Sequence, residues 1–166
     1  LLLMLFLPAQ LLAGNLSPQN GFAESYVFPG EMVRLPDGRA LNLRCMGEGS
    51  PVVILEAGGN SDSRTWHLVL PKLAPRTRVC AYDRAGYGFS DEGPQPRDLQ
   101  ADVNDLHALI ESAGIPVPVL LVGHSLGGYL SMSYSRQHPG KVAGMLLIDP
   151  FYSPHQLPPI LRIARR

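Results

Sequence analysis

The sequence predicts an α/β fold in three layers, with a mostly parallel sheet and an antiparallel hairpin at its N-terminal side. Short apolar runs such as VVILE at 52–56 are typical of strands buried on both faces. These runs alternate with segments of helical apolar spacing, and such alternation requires parallel strands joined by right-handed crossovers. With 166 residues, of which 45% are hydrophobic, the chain is long and apolar enough for one domain with a sizeable core.

The hairpin comes first, because the turn sequence PDGR at 36–39 separates two extended runs. The longest helix is indicated by apolar residues at Leu99, Val103 and Leu106, and Gly114 ends it. In chain order, the expected strands are 26–34, 40–46, 52–56, 78–82, 119–122 and 142–148, and the expected helices are 65–74, 99–113 and 126–138.

Composition and charge exclude several classes of protein. Lys plus Arg and Asp plus Glu each number 14, so the formal net charge is zero. Nucleic acid is therefore not expected as a partner, because its binding needs an excess of basic groups. Gly and Pro (17 and 16 residues) make up less of the chain than in low-complexity disorder. Two cysteines exclude a zinc ribbon, and without a metal-binding cluster or phosphate-binding loop in the sequence we expect no metal and no cofactor.

The first residues differ from the rest of the chain. Leu1 to Leu7 is an unbroken apolar run, and no charge occurs before Glu24. The run is shorter than the ~20 apolar residues of a membrane span but suits a secretory signal, with small residues at 21–23 for cleavage. We expect 1–23 to be a signal peptide or the remnant of a membrane anchor, and the protein to be exported or membrane-anchored through its N-terminus. A buried helix of the domain is the alternative.

Cys45 and Cys80 lie in predicted strands that we expect to be neighbours. In an exported protein they could form a disulfide that closes a loop of 35 residues, which is worth on the order of 3–4 kcal/mol in the chain-entropy model. The interpretation favoured by sequence alone is that both are small buried apolar residues without a covalent link.

The sequence GHSLG at 123–127 matches the pattern G-x-S-x-G and lies between a predicted strand and a predicted helix. A sharp turn in this position raises the hydroxyl of Ser125 above the edge of the sheet, and glycines on either side leave room for the backbone. The start of the following helix adds free N–H groups and partial positive charge near a developing oxyanion. Ser125 is therefore the candidate nucleophile.

A second glycine loop, EAGGN at 56–60, directly follows the first buried strand. Parallel strands end at the same edge of the sheet, so this loop can turn a backbone N–H towards Ser125. Together with the N–H of Leu126, it would form a two-donor oxyanion hole. Gly59 is the preferred donor, with Gly58 and Asn60 as alternatives. The third glycine-rich loop, at 82–90, is interpreted as structural and fastened by Asp83 and Arg84.

These motifs together resemble the α/β-hydrolase superfamily of serine esterases, lipases and proline iminopeptidase-like enzymes. The resemblance rests on GEGSP at 47–51, YDRAGYGFS at 82–90, VGHSLGG at 122–128 and LIDP at 147–150, in the family's order. It implies a serine hydrolase that cleaves a small-molecule ester or amide through an acyl-enzyme. One departure is Ala57, where many relatives carry His before Gly.

The resemblance also implies that a catalytic acid and then a His follow the nucleophile in the chain. His138 ends the helix that starts at Ser125, roughly 20 Å away, and His124 is expected to point elsewhere in the turn. His155 lies in 151–166, where relatives begin a lid. Asp149 ends the sixth strand and is either the acid or an aspartate that fastens a loop.

We therefore expect the chain to be the N-terminal part of an enzyme, with an incomplete core over 24–150 that stops after the sixth strand. Without a base within reach of Ser125, this part is expected to be inactive by itself. The alternative is a catalytically inactive binding protein with the same fold. That alternative predicts a degraded elbow or oxyanion loop, and both motifs are intact in the sequence.

Overall fold

The computed structural model describes residues 26–151, so the predicted leader at 1–23 and the predicted lid beyond Phe151 lie outside the described residues. The strands are β1 Glu31–Arg34, β2 Ala40–Met46, β3 Val53–Glu56, β4 Val79–Tyr82, β5 Val119–His124 and β6 Val142–Ile148. The α-helices of this part are α1 Leu70–Leu73, α2 Leu99–Ser112 and α3 Leu126–Gln137, with 3₁₀ turns at Ser63–Trp66 and Pro139–Lys141.

The six strands form one sheet in the order β1-β2-β4-β3-β5-β6. β1 pairs with β2 and β2 with β4 in antiparallel orientation, whereas β3 runs parallel to β4 and β5, and β5 runs parallel to β6. The predicted fold class, a mostly parallel sheet with an N-terminal antiparallel hairpin, is confirmed. β3 lies at the centre, which explains why every residue of VILE at 53–56 is buried.

Apolar side chains cover both faces of the sheet. On one face, α2 and α3 pack Leu106, Ile110 and Leu130 against strand residues that include Ile54 and Leu121. On the other face, Trp66 and Leu70 cover Val53, Leu55, Val79 and Ala81. The alternation of successive strand residues between these two clusters gives the three layers that the sequence predicts.

The helix expected over 65–74 is divided in the structure. The 3₁₀ turn Ser63–Trp66 ends first, and α1 begins at Leu70 with Pro71 in its first turn. Proline lacks a backbone N–H and is accommodated at the start of a helix but not in its interior. A continuous helix through Pro71 would lose a hydrogen bond, so the segment forms two short turns. No helix within residues 26–151 is long and apolar enough to span a bilayer.

Cys45 and Cys80 form a disulfide, so the interpretation of two unlinked apolar residues is wrong. They are direct partners in the antiparallel pairing of β2 with β4, and their Cα atoms are 4.1 Å apart. This separation is close to that of a non-hydrogen-bonded pair of facing strand residues. The pairing of β2 with β4 rather than with β3, which follows it in sequence, is what brings the two cysteines together.

Candidate active site

The predicted elbow is the junction of β5 and α3, and Ser125 forms the junction itself. Its backbone has φ 51° and ψ −117°, in a region that residues other than glycine seldom adopt. The carbonyl of Ser125 accepts hydrogen bonds from the amides of Gly128 and Phe151, both at 3.0 Å, and its amide donates to Ile148 at 3.0 Å. The strained backbone is therefore held by bonds to α3 and to the end of β6.

Positive φ values recur along one edge of the sheet. Within residues 26–151, the non-glycine residues with positive φ are Asn60, Ser125 and Asp149. They follow the carboxyl ends of β3, β5 and β6, respectively. Backbone strain of this kind clusters at functional sites, and the carboxyl edge of a parallel sheet is where ligands bind in open α/β folds.

Glycines allow the elbow to pack against its surroundings without intervening side chains. A Cβ at Gly123 would lie 2.5 Å from the carbonyl oxygen of Gly127. A Cβ at Gly127 would meet the carbonyl oxygens of Glu56 and Ala57, and one at Gly128 would lie 2.7 Å from Pro150. The start of α3 can therefore pack this closely against the end of β5, the end of β3 and Pro150 only when these positions lack side chains.

The loop at 56–60 lies against the elbow, as the sequence predicts. A Cβ at Gly58 would lie 3.0 Å from Nδ1 of His124 and 3.6 Å from the Cβ of Ser125, and one at Gly59 would lie 3.7 Å from the side chain of Leu126. Gly58 is buried and Gly59 is exposed. The loop that carries the preferred oxyanion donor is thus adjacent to the elbow.

The amide of Leu126 is the other predicted donor. As the first residue of α3, Leu126 has no partner for its N–H within the helix. The amides of Gly128 and Tyr129, further along the first turn, bind the carbonyl of Ser125. Within residues 26–151, the amide of Leu126 has no hydrogen-bond acceptor. A helix start with an unoccupied N–H is suited to bind an anionic oxygen.

The loop after β4 is fastened by Asp83, as the sequence predicts. Its carboxylate accepts hydrogen bonds from the side chain of Asn42 at 2.7 Å and from the amides of Ser63 and Phe89 at 2.8 and 3.0 Å. The carboxylate occupies the space where a side chain at Gly88 would otherwise project. One buried carboxylate therefore connects β2, the first 3₁₀ turn and the loop at 82–90.

Arg84 contacts its own loop, where its guanidinium lies 5.4 Å from the centre of the Tyr87 ring, and it also makes a contact that was not expected. Its guanidinium crosses to the neighbouring loop, where Nη1 donates to the carbonyl of Ala57 at 2.6 Å and Nη2 donates to the carbonyl of Gly58. Nη1 also lies 3.8 Å from Oε2 of the fully buried Glu56. The sequence did not predict this contact. A charged residue at the end of the apolar run VVILE was the available signal, since a buried carboxylate needs a partner.

Burial raises the pKa of Glu56 to about 7. The positive charge of Arg84 and the neighbouring Tyr82 hydroxyl lower it by less, and Asp102 raises it further. Neither carboxylate oxygen of Glu56 has a hydrogen-bond partner within residues 26–151. Glu56, which lies beside the candidate oxyanion loop, therefore changes its charge near neutral pH.

The four described histidines do not form a catalytic pair with Ser125. His138 stacks on His107 with ring centroids 4.2 Å apart, on the outer end of α3. His67 contacts the carbonyl of Arg64, and the ring of His124 packs at Gly58. His155 lies outside the described residues, and within residues 26–151 no group of three or more potential metal ligands occurs.

A cavity of about 670 Å³ opens beside the elbow. Leu126 and Tyr129 of α3 form one wall, Tyr87 forms another, and Phe151 contributes from the segment after β6. The lining also includes polar and charged side chains, among them Glu92, Arg97 and Asp102, so the cavity combines aromatic surface with charge. Such a lining suits a small organic molecule.

Comparison with known proteins agrees with this architecture. The model of a family described as alpha/beta hydrolase fold matches residues 51–165, which include the candidate oxyanion loop, the elbow and β6. The chain belongs to the alpha/beta hydrolase family.

Relatives in this family include named lipases and esterases. The chain is 35% identical over 109 residues to (lyso)-N-acylphosphatidylethanolamine lipase of Mus musculus, across 63% of this chain and 31% of the lipase. It is 29% identical over 104 residues to the uncharacterised protein YqjL of Bacillus subtilis, across 63% and 41% of the two chains. A thermophilic esterase from Thermogutta terrifontis superposes with a TM-score of 0.65 at 27% identity, across 77% of this chain and 48% of the esterase. The chain therefore spans less than half the length of these relatives.

Proposed function

We propose that this chain carries the nucleophile and oxyanion hole of a serine hydrolase that cleaves a small-molecule ester or amide. The observation that carries the proposal is the position of Ser125, which has a positive φ at the β5–α3 junction. A glycine loop packs against this junction. The hydrolase family and its esterase and lipase relatives support the same class of reaction.

In the proposed mechanism, Oγ of Ser125 attacks the carbonyl carbon of the substrate while a base takes the hydroxyl proton. The N–H groups of Gly59 and Leu126 stabilise the negative charge that develops on the carbonyl oxygen. Collapse of the tetrahedral intermediate expels the alcohol or amine, which takes the proton from the base, and leaves an acyl group on Ser125. Attack by water on this acyl-enzyme releases the acid and restores Ser125. The cavity lined by Leu126 and Phe151 is the proposed substrate pocket.

The base is proposed to come from outside residues 26–151, because the histidines at 67, 107, 124 and 138 make other contacts. Asp149 stays a candidate for the acid, at the end of β6. We also propose that the protein is exported. The disulfide between Cys45 and Cys80 supports this location, because structural disulfides persist mainly in oxidising compartments.

The test is labelling with a fluorophosphonate probe, combined with turnover of a short-chain p-nitrophenyl ester. In the complete enzyme, Ser125→Ala is expected to abolish labelling and to lower kcat by at least about 10³-fold, because the nucleophile is lost. Ser112→Ala, at an exposed position near the end of α2, is the matched control and should change neither. Labelling that persists in Ser125→Ala would refute the assignment.

The 166-residue chain by itself is expected to show essentially no turnover, because a serine without a base attacks slowly. Turnover that depends on both Ser125 and His155 would overturn this expectation and identify His155 as the base. A complete protein that is well folded but neither labels nor turns over ester would instead favour the alternative, a catalytically inactive binding protein.

A further inference from the structure

The loop at 56–60 is held from behind by a buried cation. Arg84 is only 3% exposed, and its two terminal nitrogens donate to the successive carbonyls of Ala57 and Gly58. Glu56 is fully buried and forms an ion pair with the same guanidinium at 3.8 Å. Burial of two charged groups costs free energy. Their presence beside the candidate oxyanion loop therefore needs an explanation.

The geometry of the peptide bond supplies that reason. The carbonyl of Gly58 and the N–H of Gly59 belong to one peptide unit, and the cis peptide bonds within residues 26–151 all precede proline. In a planar trans peptide, the C=O and N–H point in opposite directions. When Arg84 binds the carbonyl of Gly58, it therefore also fixes the direction of the N–H of Gly59.

The elbow lies against the other parts of the same loop. The space beside the Cα of Gly58 is occupied by His124 and Ser125, and the space beside the Cα of Gly59 is occupied by Leu126. The peptide unit between the two glycines is therefore confined by the guanidinium at its carbonyl and by the elbow at its Cα atoms. Glycines alone could not hold this orientation, because they have the greatest conformational freedom of all residues.

We propose that Arg84, paired with Glu56, is a positioning residue that turns the Gly58–Gly59 peptide so that its N–H is presented to the oxyanion formed at Ser125. This inference rests on the proposed function. The planar fork of an arginine can bind two adjacent carbonyls at once, whereas a lysine ammonium acts as a point charge. A cationic donor on the carbonyl also polarises the peptide and strengthens the N–H as a donor.

The test compares Arg84→Lys with Arg39→Lys. Arg39 also makes a two-pronged contact, with Asp105 at 2.6 and 3.1 Å, but it lies next to the hairpin turn and away from the elbow. In the complete enzyme, Arg84→Lys is expected to lower kcat by about 10- to 100-fold, since loss of a whole oxyanion donor costs about 10²–10³-fold. The KM should stay within about threefold, because the donor acts mainly in the transition state. Arg39→Lys should leave both constants unchanged.

A second readout is independent of turnover. In the ¹⁵N-labelled complete protein, the amide resonances of Gly58 and Gly59 are expected to shift in Arg84→Lys and to stay in place in Arg39→Lys. Unchanged amide resonances, or a kcat within twofold of wild type in a folded Arg84→Lys, would overturn the inference. If the wild-type enzyme shows no turnover that depends on Ser125, the proposed function fails, and the amide resonances alone then decide whether Arg84 orients the loop.

Discussion

Two neighbouring regions at the carboxyl edge of the sheet are held in place by opposite means. The close packing of the elbow depends on the absence of side chains at Gly123, Gly127 and Gly128, where any Cβ would meet the backbone of the elbow, the end of β3 or Pro150, respectively. The loop after β4 depends on the presence of charged side chains, since Asp83 accepts three hydrogen bonds. Arg84 belongs to the loop after β4, and its guanidinium binds the carbonyls of Ala57 and Gly58 in the loop beside the elbow.

The difference between these regions determines how each can fail. A contact between backbone and backbone fails when volume is added, and it has no dependence on pH. A contact that involves buried carboxylates fails when a charge or an acceptor is removed, and it can titrate. The candidate nucleophile is thus supported by a rigid steric contact, whereas the proposed oxyanion loop also depends on a charged network. Three variants test this division.

Gly127→Ala tests the steric contact and is expected to have the largest effect on stability. Alanine is preferred over glycine in a helix by about 1 kcal/mol, which by itself would stabilise α3. The added Cβ, however, would meet the carbonyl oxygens of Glu56 and Ala57, which belong to the backbone and cannot rotate away. Such overpacking should outweigh the helical preference and lower the free energy of unfolding by about 3 kcal/mol or more.

Urea unfolding of the 166-residue chain measures this effect. Gly140→Ala is the control, because a Cβ there would have nothing within 4 Å. The control should lie within about 0.5 kcal/mol of wild type. If Gly127→Ala were as stable as the control, the elbow could not be described as sterically confined.

Glu56→Gln tests the charged network through its dependence on pH. The ordinary pKa of a glutamate is 4.5, and burial raises that of Glu56 to about 7, against the opposing effects of Arg84 and Tyr82 and with a further increase from Asp102. Between these values the folded state keeps a proton that the unfolded state has lost. The contribution of Glu56 to stability therefore falls as the pH rises from about 4.5 to about 7.

Glutamine has nearly the same shape and does not titrate. The free energy of unfolding of wild type, minus that of Glu56→Gln, should fall by about 3 kcal/mol between pH 4 and pH 8, at about 1.4 kcal/mol per pKa unit. Urea unfolding of both proteins at four or five pH values measures this difference, and titrations common to both proteins cancel. A difference that is flat with pH would show that folding does not raise the pKa of Glu56, and one that rises with pH would show that the carboxylate is stabilised in its charged form.

The difference between the glycine-dependent elbow and the charged contacts of the loop after β4 also explains which features the sequence could predict. All six strands and the position of the elbow follow from local signals, namely apolar runs and a glycine pattern between a strand and a helix. Glycine motifs are readable because their effect is exerted within a few residues. The contact of Arg84 with Ala57 joins residues 27 positions apart, and no periodicity or spacing indicates it.

The disulfide shows the same limit. The sequence predicts that Cys45 and Cys80 lie in neighbouring strands, but a covalent link also requires the register that puts them directly opposite each other. A shift of this register by one residue would turn every side chain of β2 to the other face of the sheet. Register depends on the packing of the whole sheet, and spacing along the chain does not determine it. The same holds for the proposed catalytic acid and base, whose positions no local motif in the sequence indicates.

Asp83→Asn tests the second region with the smallest change, since it replaces one carboxylate oxygen by an NH₂ group. The oxygen Oδ2 accepts from Asn42 and Phe89, and Oδ1 accepts from Ser63. An asparagine can keep its oxygen towards the first pair, but its NH₂ group then faces the amide of Ser63, and two buried donors oppose each other. The loss of one hydrogen bond and the unsatisfied donor should lower the free energy of unfolding by about 1–2 kcal/mol, measured by urea titration.

Glu48→Gln, at an exposed position, is the control. It removes the same charge without a buried contact and should be neutral in the same urea titration. If Asp83→Asn were also neutral, the loop after β4 would be held by its backbone, and the contrast between the two regions would disappear.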